Sequence, residues 1–131
     1  MILLDTHAWI WFVADPDRLS ARARAAVNTG IDKRQVLVSS ISSWEVAMLV
    51  AKGRLALTLP VQDWIAKAEM LPFLNFIAVD NGIALKAVSL PEPLHSDPAD
   101  RIIIATAIRE GAALVTKDQK ILDYPHVRTI W

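Results

Sequence analysis

The chain has 131 residues, no cysteine, 14 acidic side chains and 14 Lys or Arg side chains, so its formal net charge is zero. The lack of cysteine excludes disulfides and thiolate metal sites, and the charge balance argues against a dedicated nucleic-acid-binding surface. No uncharged run approaches the length of a membrane span, and the amino terminus lacks the basic head of a signal peptide. We expect a cytoplasmic protein, not associated with a membrane, made of a single domain over residues 1–131.

Short apolar segments alternate with helical segments along the whole chain. The predicted strands are residues 2–4, 36–38, 76–79, 112–115 and 127–130. The predicted helices run from a cap at Asp5 or Thr6 to near Asp15, from Ala21 to about Thr29, from a cap at Ser42 to Lys52, from Pro60 to about Leu71, from a cap at Asp80 to Val88, from a cap at Asp97 to a stop at Gly111, and onward from Asp118. This alternation predicts an α/β fold in which helices cover both faces of a parallel sheet.

Local signals set several of these boundaries. Gly30 is expected to close the second helix, and Ser42 with Glu45 fits a capping box at the head of the third. Asp97 is a good N-cap, and Pro98 follows at the position where a helix tolerates a missing N–H. A spacing of three places Asp97 and Asp100 on the same face of their helix.

The strand ends bring acidic residues toward one edge of the predicted sheet. Asp5 ends the first strand and Asp118 follows the fourth. In parallel sheets, sites form beyond the carboxyl ends of the strands where the strand order reverses. If the first and fourth strands are neighbours at that reversal, Asp5 and Asp118 converge with the helix start at Asp97 and Asp100. Glu45, shortly after the second strand, can reach the same place.

Each acid also has a purely structural explanation when it is taken alone. Asp5, Asp97 and Asp118 can serve only as helix caps. Glu45 can be only the second half of its capping box, and Asp100 can be an acid that favours the first turn of its helix.

Together, the acids favour a metal site. Clustered carboxylates raise one another's pKa and destabilise the fold unless a cation neutralises them. An all-oxygen donor set without cysteine favours Mg²⁺ or Mn²⁺. The three histidines lack the spacing of a zinc site, and His95 is expected to lie in a loop. If four acids gather in one pocket, the remaining ten face 14 Lys and Arg, which leaves the rest of the chain at about +4 and mildly attractive to phosphate.

The motifs that carry these acids resemble those of PIN-domain ribonucleases, and specifically of VapC-type toxins of bacterial toxin–antitoxin pairs. The resemblance covers essentially the whole chain. It rests on four segments, ILLDTHAWIW with Asp5, SSISSWEVA with Glu45, HSDPADRIIIATA with Asp97 and Asp100, and ALVTKD with Asp118. The resemblance implies a three-layer α/β/α sandwich with a central parallel β-sheet, metal-dependent cleavage of RNA and usually a homodimer. It also implies a small antitoxin that blocks the site and binds operator DNA, so that this chain meets DNA only through its partner.

Carried over residue by residue, the resemblance implies roles for individual side chains. The implied catalytic set is Asp5, Glu45, Asp100 and Asp118. Of these, Asp5, Asp100 and Asp118 would hold one or two Mg²⁺ or Mn²⁺ ions, and Glu45 would orient or deprotonate the attacking water. The expected supporting residues are Thr116, Asp97, Thr6 and Arg101, with Arg101 and Lys117 as candidates for gripping substrate phosphates.

Other functions stay open at the level of sequence. A PIN-domain nuclease could process RNA outside a toxin pair, and a scaffold of the same fold could have no activity. A receiver-like domain that accepts a phosphoryl group also uses an acidic pocket, and Asp80 follows the third strand where its acceptor would lie. A haloacid-dehalogenase-like phosphatase would require Asp-x-Asp after the first strand, where this chain has Asp5-Thr6-His7. There is no G-x-S-x-G elbow and no phosphate-cradling glycine loop.

Overall fold

The computed structural model describes residues 1–131 and contains one five-stranded parallel sheet, with strand order β3-β2-β1-β4-β5. The strands are β1 Ile2–Leu4, β2 Val36–Ser39, β3 Leu74–Ile77, β4 Ala113–Val115 and β5 Thr129–Ile130. The helices are α1 Thr6–Ala14, α2 Ala21–Lys33, α3 Ser40–Ala51, α4 Val61–Glu69, α5 Asn81–Val88, α6 Pro98–Glu110 and α7 Gln119–Leu122, with a short 3₁₀ turn at Pro16–Arg18. None of the helices is both long and apolar enough to cross a membrane.

The sheet is covered on both faces, which confirms the predicted three-layer architecture. Alternation along β1 sends Ile2 and Leu4 into one core and Leu3 into the other. The first core is closed by buried side chains of α1 to α4, including Trp9. The second is closed by α6 and α7, with α5 packed against α6. Burial on both faces explains why the central strands are continuous apolar runs.

Helix α2 does not end at Gly30, contrary to the sequence prediction. It continues to Lys33, and Arg34 takes the left-handed conformation that ends it, with φ 55°. Gly30 serves close packing instead. A Cβ at this position would lie 2.8 Å from Val36 Cγ2 and 3.3 Å from Ile2 Cγ1. The glycine therefore lets the helix approach the central strands.

Three further boundaries differ from the prediction. Strand β2 runs directly into α3, so Ser39 rather than Ser42 is the N-cap, and its hydroxyl accepts from the N–H of Ile41. The predicted capping box is therefore wrong, and Ser42 and Glu45 are free for other contacts. The third strand begins and ends two residues earlier than expected, and the last strand is shortened to Thr129–Ile130.

The strand order reverses at the centre of the sheet. Strand β1 pairs with β2 on one side and β4 on the other, and Leu4 lies level with both Val38 and Val115. Immediately beyond this row, the N–H of Asp5 donates to the carbonyl of Val115 at 3.1 Å. The carboxyl ends of three strands thus finish together at the position where a parallel sheet forms its site.

Candidate metal centre and active site

An acidic cleft of about 540 Å³ opens at the carboxyl ends of β1, β2 and β4. Its lining residues are Asp5, Thr6, His7, Trp11, Glu45, Asp97, Asp100, Ile103, Lys117 and Asp118. Five of these are carboxylates and one is a lysine. The cleft is therefore strongly anionic, although the chain as a whole is neutral.

Asp5 forms the floor of the cleft and is 8% exposed. Its Oδ1 accepts from the N–H of Ala8 at 2.8 Å, which caps α1, and its Oδ2 accepts a short hydrogen bond from the Thr116 hydroxyl. Burial raises the pKa of the Asp5 carboxyl, the charge of Asp100 raises it further, and the two hydrogen bonds offset part of the rise. Asp5 is therefore both the N-cap of α1 and a candidate metal ligand.

Glu45 reaches the cleft from the second turn of α3. The hydroxyl of Thr6 donates to Glu45 Oε1 at 2.5 Å, and the same hydroxyl shares a 2.9 Å hydrogen bond with buried Ser42. Burial raises the pKa of Glu45, and the charges of Asp100 and Asp97 add to the rise. The helix begins at Ser40, so Ser42 and Glu45 lie inside α3 and do not cap it. Both side chains instead hydrogen-bond to Thr6 at the cleft.

The amino-terminal turn of α6 supplies two more acids. Asp97 Oδ1 accepts from the N–H of Asp100 at 3.0 Å, as an N-cap does, and Pro98 occupies the first turn. Burial raises the pKa of Asp100, and the charges of Asp97 and Asp118 contribute in the same direction. Asp97 therefore caps the helix and also adds negative charge to the cleft.

Asp118 follows β4 and begins α7. Its N–H donates to Thr116 Oγ1 at 3.1 Å, and its Oδ1 accepts from the N–H of Lys120 at 2.9 Å. Thr116, which is fully buried, thus joins Asp5 to the start of the Asp118 turn through one hydroxyl.

His95 is a site residue that the sequence reasoning missed. Its Nε2 lies 2.7 Å from Asp100 Oδ2, and both side chains are largely shielded, at 18% and 22% exposed. Ligand atoms of His95, Asp100 and Asp118 all lie within 4.8 Å of one another. His95 does lie in a loop, as expected, but the loop folds back over the start of α6. The available signal was its position five residues before Asp100, on a loop bounded by prolines.

Arg101 does not face the cleft, contrary to the expectation that it grips substrate phosphates. Its Nε donates to the carbonyl of Ala87 at 3.0 Å, and its Nη1 lies 3.3 Å from the carbonyls of both Leu94 and His95. Its Nη2 donates to Glu92 Oε1 at 3.1 Å. The side chain therefore fastens the loop that carries His95, and four of its five N–H donors are occupied.

Asp80 also lies outside the cleft. It follows β3, an edge strand, and both of its carboxylate oxygens accept from Nη1 of Arg109, at 2.7 and 2.6 Å. This pairing lowers the pKa of Asp80. A receiver-like role would require Asp80 in the acidic pocket, so the geometry gives that alternative no support.

The cleft residues fit a hard divalent cation. Burial raises the pKa of Asp5, Glu45 and Asp100, and the charges of Asp97, Asp100 and Asp118 add to these rises. A bound cation would offset this cost. Oxygen ligands with a single imidazole suit Mg²⁺ or Mn²⁺ better than zinc. The predicted acids Asp5, Glu45, Asp100 and Asp118 all line this one cleft, together with Asp97 and Thr6, while Thr116 supports Asp5 beneath it.

Comparison with known proteins gives the family. The PIN domain model matches residues 2–127. Ribonuclease VapC22 of Mycobacterium tuberculosis (strain ATCC 25618 / H37Rv) is 36% identical over 132 residues, covering 99% of this chain and 98% of that protein.

Two solved structures share the fold. One is VapBC2 from Rickettsia felis bound to a DNA fragment from their promoter, with TM-score 0.70 and 20% identity over 98% of this chain and 97% of that one. The other is FitAcB from Neisseria gonorrhoeae, with TM-score 0.67 and 23% identity over 98% of this chain and 96% of that one. The matching model, the related sequence and the acids at the strand-order reversal agree, and the chain belongs to the PIN domain family.

Proposed function

We propose that this protein is an Mg²⁺-dependent endoribonuclease and the toxin of a VapBC-type toxin–antitoxin pair. The observation that carries the proposal is the convergence of Asp5, Glu45, Asp100 and Asp118 on one cleft. The relative named Ribonuclease VapC22, which aligns over nearly the whole chain, supports RNA as the substrate. Mn²⁺ is expected to substitute for Mg²⁺, because both ions accept carboxylate ligands.

In this proposal, Asp5, Asp100 and Asp118 hold the cation. When bound, a divalent cation lowers the pKa of a coordinated water and offsets the charge that develops on the phosphate. Asp5 is held by Ala8 and Thr116, and Asp100 by His95, so both carboxylates are oriented before the substrate arrives.

Glu45 acts on the attacking water. Thr6 hydrogen-bonds to Glu45 Oε1, which leaves Oε2 available to orient the water and accept its proton. The water oxygen bonds to phosphorus as the P–O3′ bond breaks, and the departing 3′ oxygen takes a proton from solvent. The products are a 5′-phosphate and a 3′-hydroxyl, the outcome that the family resemblance implies.

The biological partners are part of the proposal. One of the solved structures above, VapBC2 from Rickettsia felis, is bound to a DNA fragment from their promoter. This supports an antitoxin that occupies the cleft of this chain and itself contacts operator DNA. We also propose a cytoplasmic homodimer. Exposed apolar side chains on α5, Leu85 at 72% and Val88 at 80%, support a contact between copies.

The central test compares two Asp→Asn variants in RNA cleavage. Asp100→Asn removes a cleft carboxylate and is expected to abolish cleavage of single-stranded RNA while binding persists. Asp80→Asn is the matched control, because it changes an aspartate outside the cleft. This variant is expected to cleave RNA at the wild-type rate in Mg²⁺ and, like the wild type, to be inactive in EDTA. Full activity in Asp100→Asn would refute the assignment. A mass gain of one phosphoryl group after incubation of the wild type with a small phosphodonor, absent in Asp80→Asn, would favour the receiver-like alternative.

A second experiment separates a toxin from an RNA-processing nuclease. Expression of the wild-type chain is expected to arrest growth, and co-expression of a short open reading frame adjacent to its gene is expected to restore it. RNA cleavage in vitro without growth arrest would instead indicate a PIN-domain nuclease that acts outside a toxin pair.

A further inference from the structure

A second depression adjoins the acidic cleft and has the opposite charge. It measures about 370 Å³, and its lining includes His7, Trp11, Asp15, Arg18 and Arg54. We call it the cationic groove after Arg18 and Arg54. His7 and Trp11 line both the groove and the acidic cleft, so the two form one continuous surface.

Trp11 holds two cations near the boundary between the groove and the cleft. The guanidinium carbon of Arg18 lies 4.5 Å from the Trp11 ring centroid, and Lys117 Nζ lies 5.8 Å from it. The indole itself is half-buried, with the rings of His7 and Trp131 at 5.8 and 5.9 Å. Because the ring is packed, it offers Arg18 a fixed aromatic face next to the cleft.

The cations of this surface have no acidic partner. The ion pairs made by arginine in this chain involve Arg24, Arg101 and Arg109, and neither Arg18 nor Arg54 takes part in one. Asp15 also lines the groove and is not paired with either. The two guanidinium groups are exposed and make no hydrogen bond within the chain, so their N–H donors are available to an external acceptor.

A phosphodiester substrate needs such a surface. A polyanion that enters a cleft with five carboxylates is repelled by every acid that a cation does not neutralise. Guanidinium groups bind phosphate oxygens through paired N–H donors, and an Arg held on an aromatic ring loses less freedom when it binds. A groove that continues from the cleft would receive the phosphates next to the cleaved bond.

We propose that the cationic groove binds the backbone phosphates of single-stranded RNA on one side of the cleaved bond, through Arg18 and Arg54, with Lys117 at the junction with the cleft. This inference rests on the proposed ribonuclease function and adds to it a substrate-binding surface. Trp11 is a positioning residue for Arg18.

The experiment measures binding without cleavage. A fluorescent single-stranded RNA is titrated with Asp100→Asn protein, alone and combined with Arg18→Ala/Arg54→Ala, and anisotropy is recorded over a range of salt concentrations. Loss of two phosphate contacts is expected to make the negative slope of log association constant against log salt concentration shallower by about 1.4. Binding is expected to weaken about 25-fold at 0.1 M salt. Arg22→Ala, an exposed arginine on α2 outside both depressions, is the matched control and is expected to change neither quantity.

Trp11→Leu distinguishes positioning from charge. It keeps every cation, so the salt slope is expected to stay at the value of the parent protein while the affinity falls. In the cleavage-competent background, Arg18→Ala/Arg54→Ala is expected to raise KM and leave kcat unchanged. Thermal unfolding of each variant checks that the fold is intact.

The inference and the proposed function fail in different ways. If Arg18→Ala/Arg54→Ala keeps the parent affinity and salt slope while the wild type cleaves RNA, the groove does not bind substrate and the ribonuclease function stands. If that variant binds RNA normally but no longer binds its antitoxin, the groove is a protein-docking surface and our inference is wrong. If the wild type neither binds nor cleaves RNA, the proposed function itself fails.

Discussion

Arg101→Ala is expected to destabilise the protein and to weaken cation binding, although the Arg101 side chain contacts none of the carboxylates that would hold the cation. The Arg101 side chain is 14% exposed and donates to the carbonyls of Ala87, Leu94 and His95. Its removal frees the loop that holds His95 against Asp100. Because the carboxylate of Asp100 then has more orientations, the affinity for Mn²⁺ is expected to fall.

The size of the effect follows from the bonds that are lost. Each hydrogen bond to a carbonyl contributes about 0.5–1.5 kcal/mol net, so three of them give roughly 2–4 kcal/mol of lost stability. For a chain of this length, that corresponds to a decrease in Tm of roughly 8–15 °C. Second-sphere partners of metal ligands typically change metal affinity by about 10- to 100-fold, and we expect a loss within that range.

The assay combines urea unfolding with an electron paramagnetic resonance titration of Mn²⁺. Arg101→Lys keeps the charge but not the multiple donors, and is expected to fall between the wild type and Arg101→Ala in both measurements. Glu92→Gln removes only the exposed partner of the arginine, so its effect should be smaller. The reasoning is refuted if Arg101→Ala is as stable as the wild type and binds Mn²⁺ with normal affinity, or if His95→Ala leaves the Mn²⁺ affinity unchanged.

Three further predictions follow from the cleft and the core. Burial raises the pKa values of Asp5, Glu45 and Asp100 in the folded protein. Between about pH 4, where these groups titrate in the unfolded chain, and their raised pKa values, the folded protein binds more protons than the unfolded chain. The free energy of unfolding therefore decreases as the pH rises through this range. In EDTA, the difference in unfolding free energy between Asp100→Asn and wild type should therefore grow in favour of the variant from pH 4 to 7; a constant difference would contradict this. Saturating Mg²⁺ should raise the Tm of the wild type but not that of Asp100→Asn, measured by differential scanning fluorimetry, because only a site with its carboxylates binds the cation tightly. Gly30→Ala gains about 1 kcal/mol of helix propensity, but its Cβ would meet Val36 Cγ2 at 2.8 Å, and overpacking costs about 1–3 kcal/mol, so urea unfolding should show a net loss of stability.

The location of the acids in one cleft could be predicted from the sequence because it depends only on the strand order of the sheet. Once the strands are parallel and the order reverses at β1 and β4, the residues after those strands must lie at one edge. Asp5, Asp118 and the start of α6 need no further information. The same argument located Glu45 near the edge, because it follows the second strand. The alternative role considered for Glu45, in a capping box with Ser42, was wrong because β2 passes into α3 without a loop.

The residues that were missed depend on contacts that no local pattern encodes. The loop that brings His95 to Asp100 is held by Arg101, which bonds to three carbonyls, and one of these belongs to Ala87 on a different helix. Gly30 resembles a helix stop in sequence. The structure requires a glycine there for another reason, because a Cβ would come too close to the side chains of Val36 and Ile2. Both features follow from tertiary packing, which overrides local propensity.

Asp5 joins the chemistry of this protein to its folding. One carboxylate begins α1, accepts from Thr116 beyond the central strands and forms the floor of the cleft, so the main chain beneath it belongs to the innermost layer of the molecule. Amide hydrogens of this floor should exchange with solvent only through global opening, because central strands are the last elements to open. A loss of order at this floor would therefore require the central sheet itself to open.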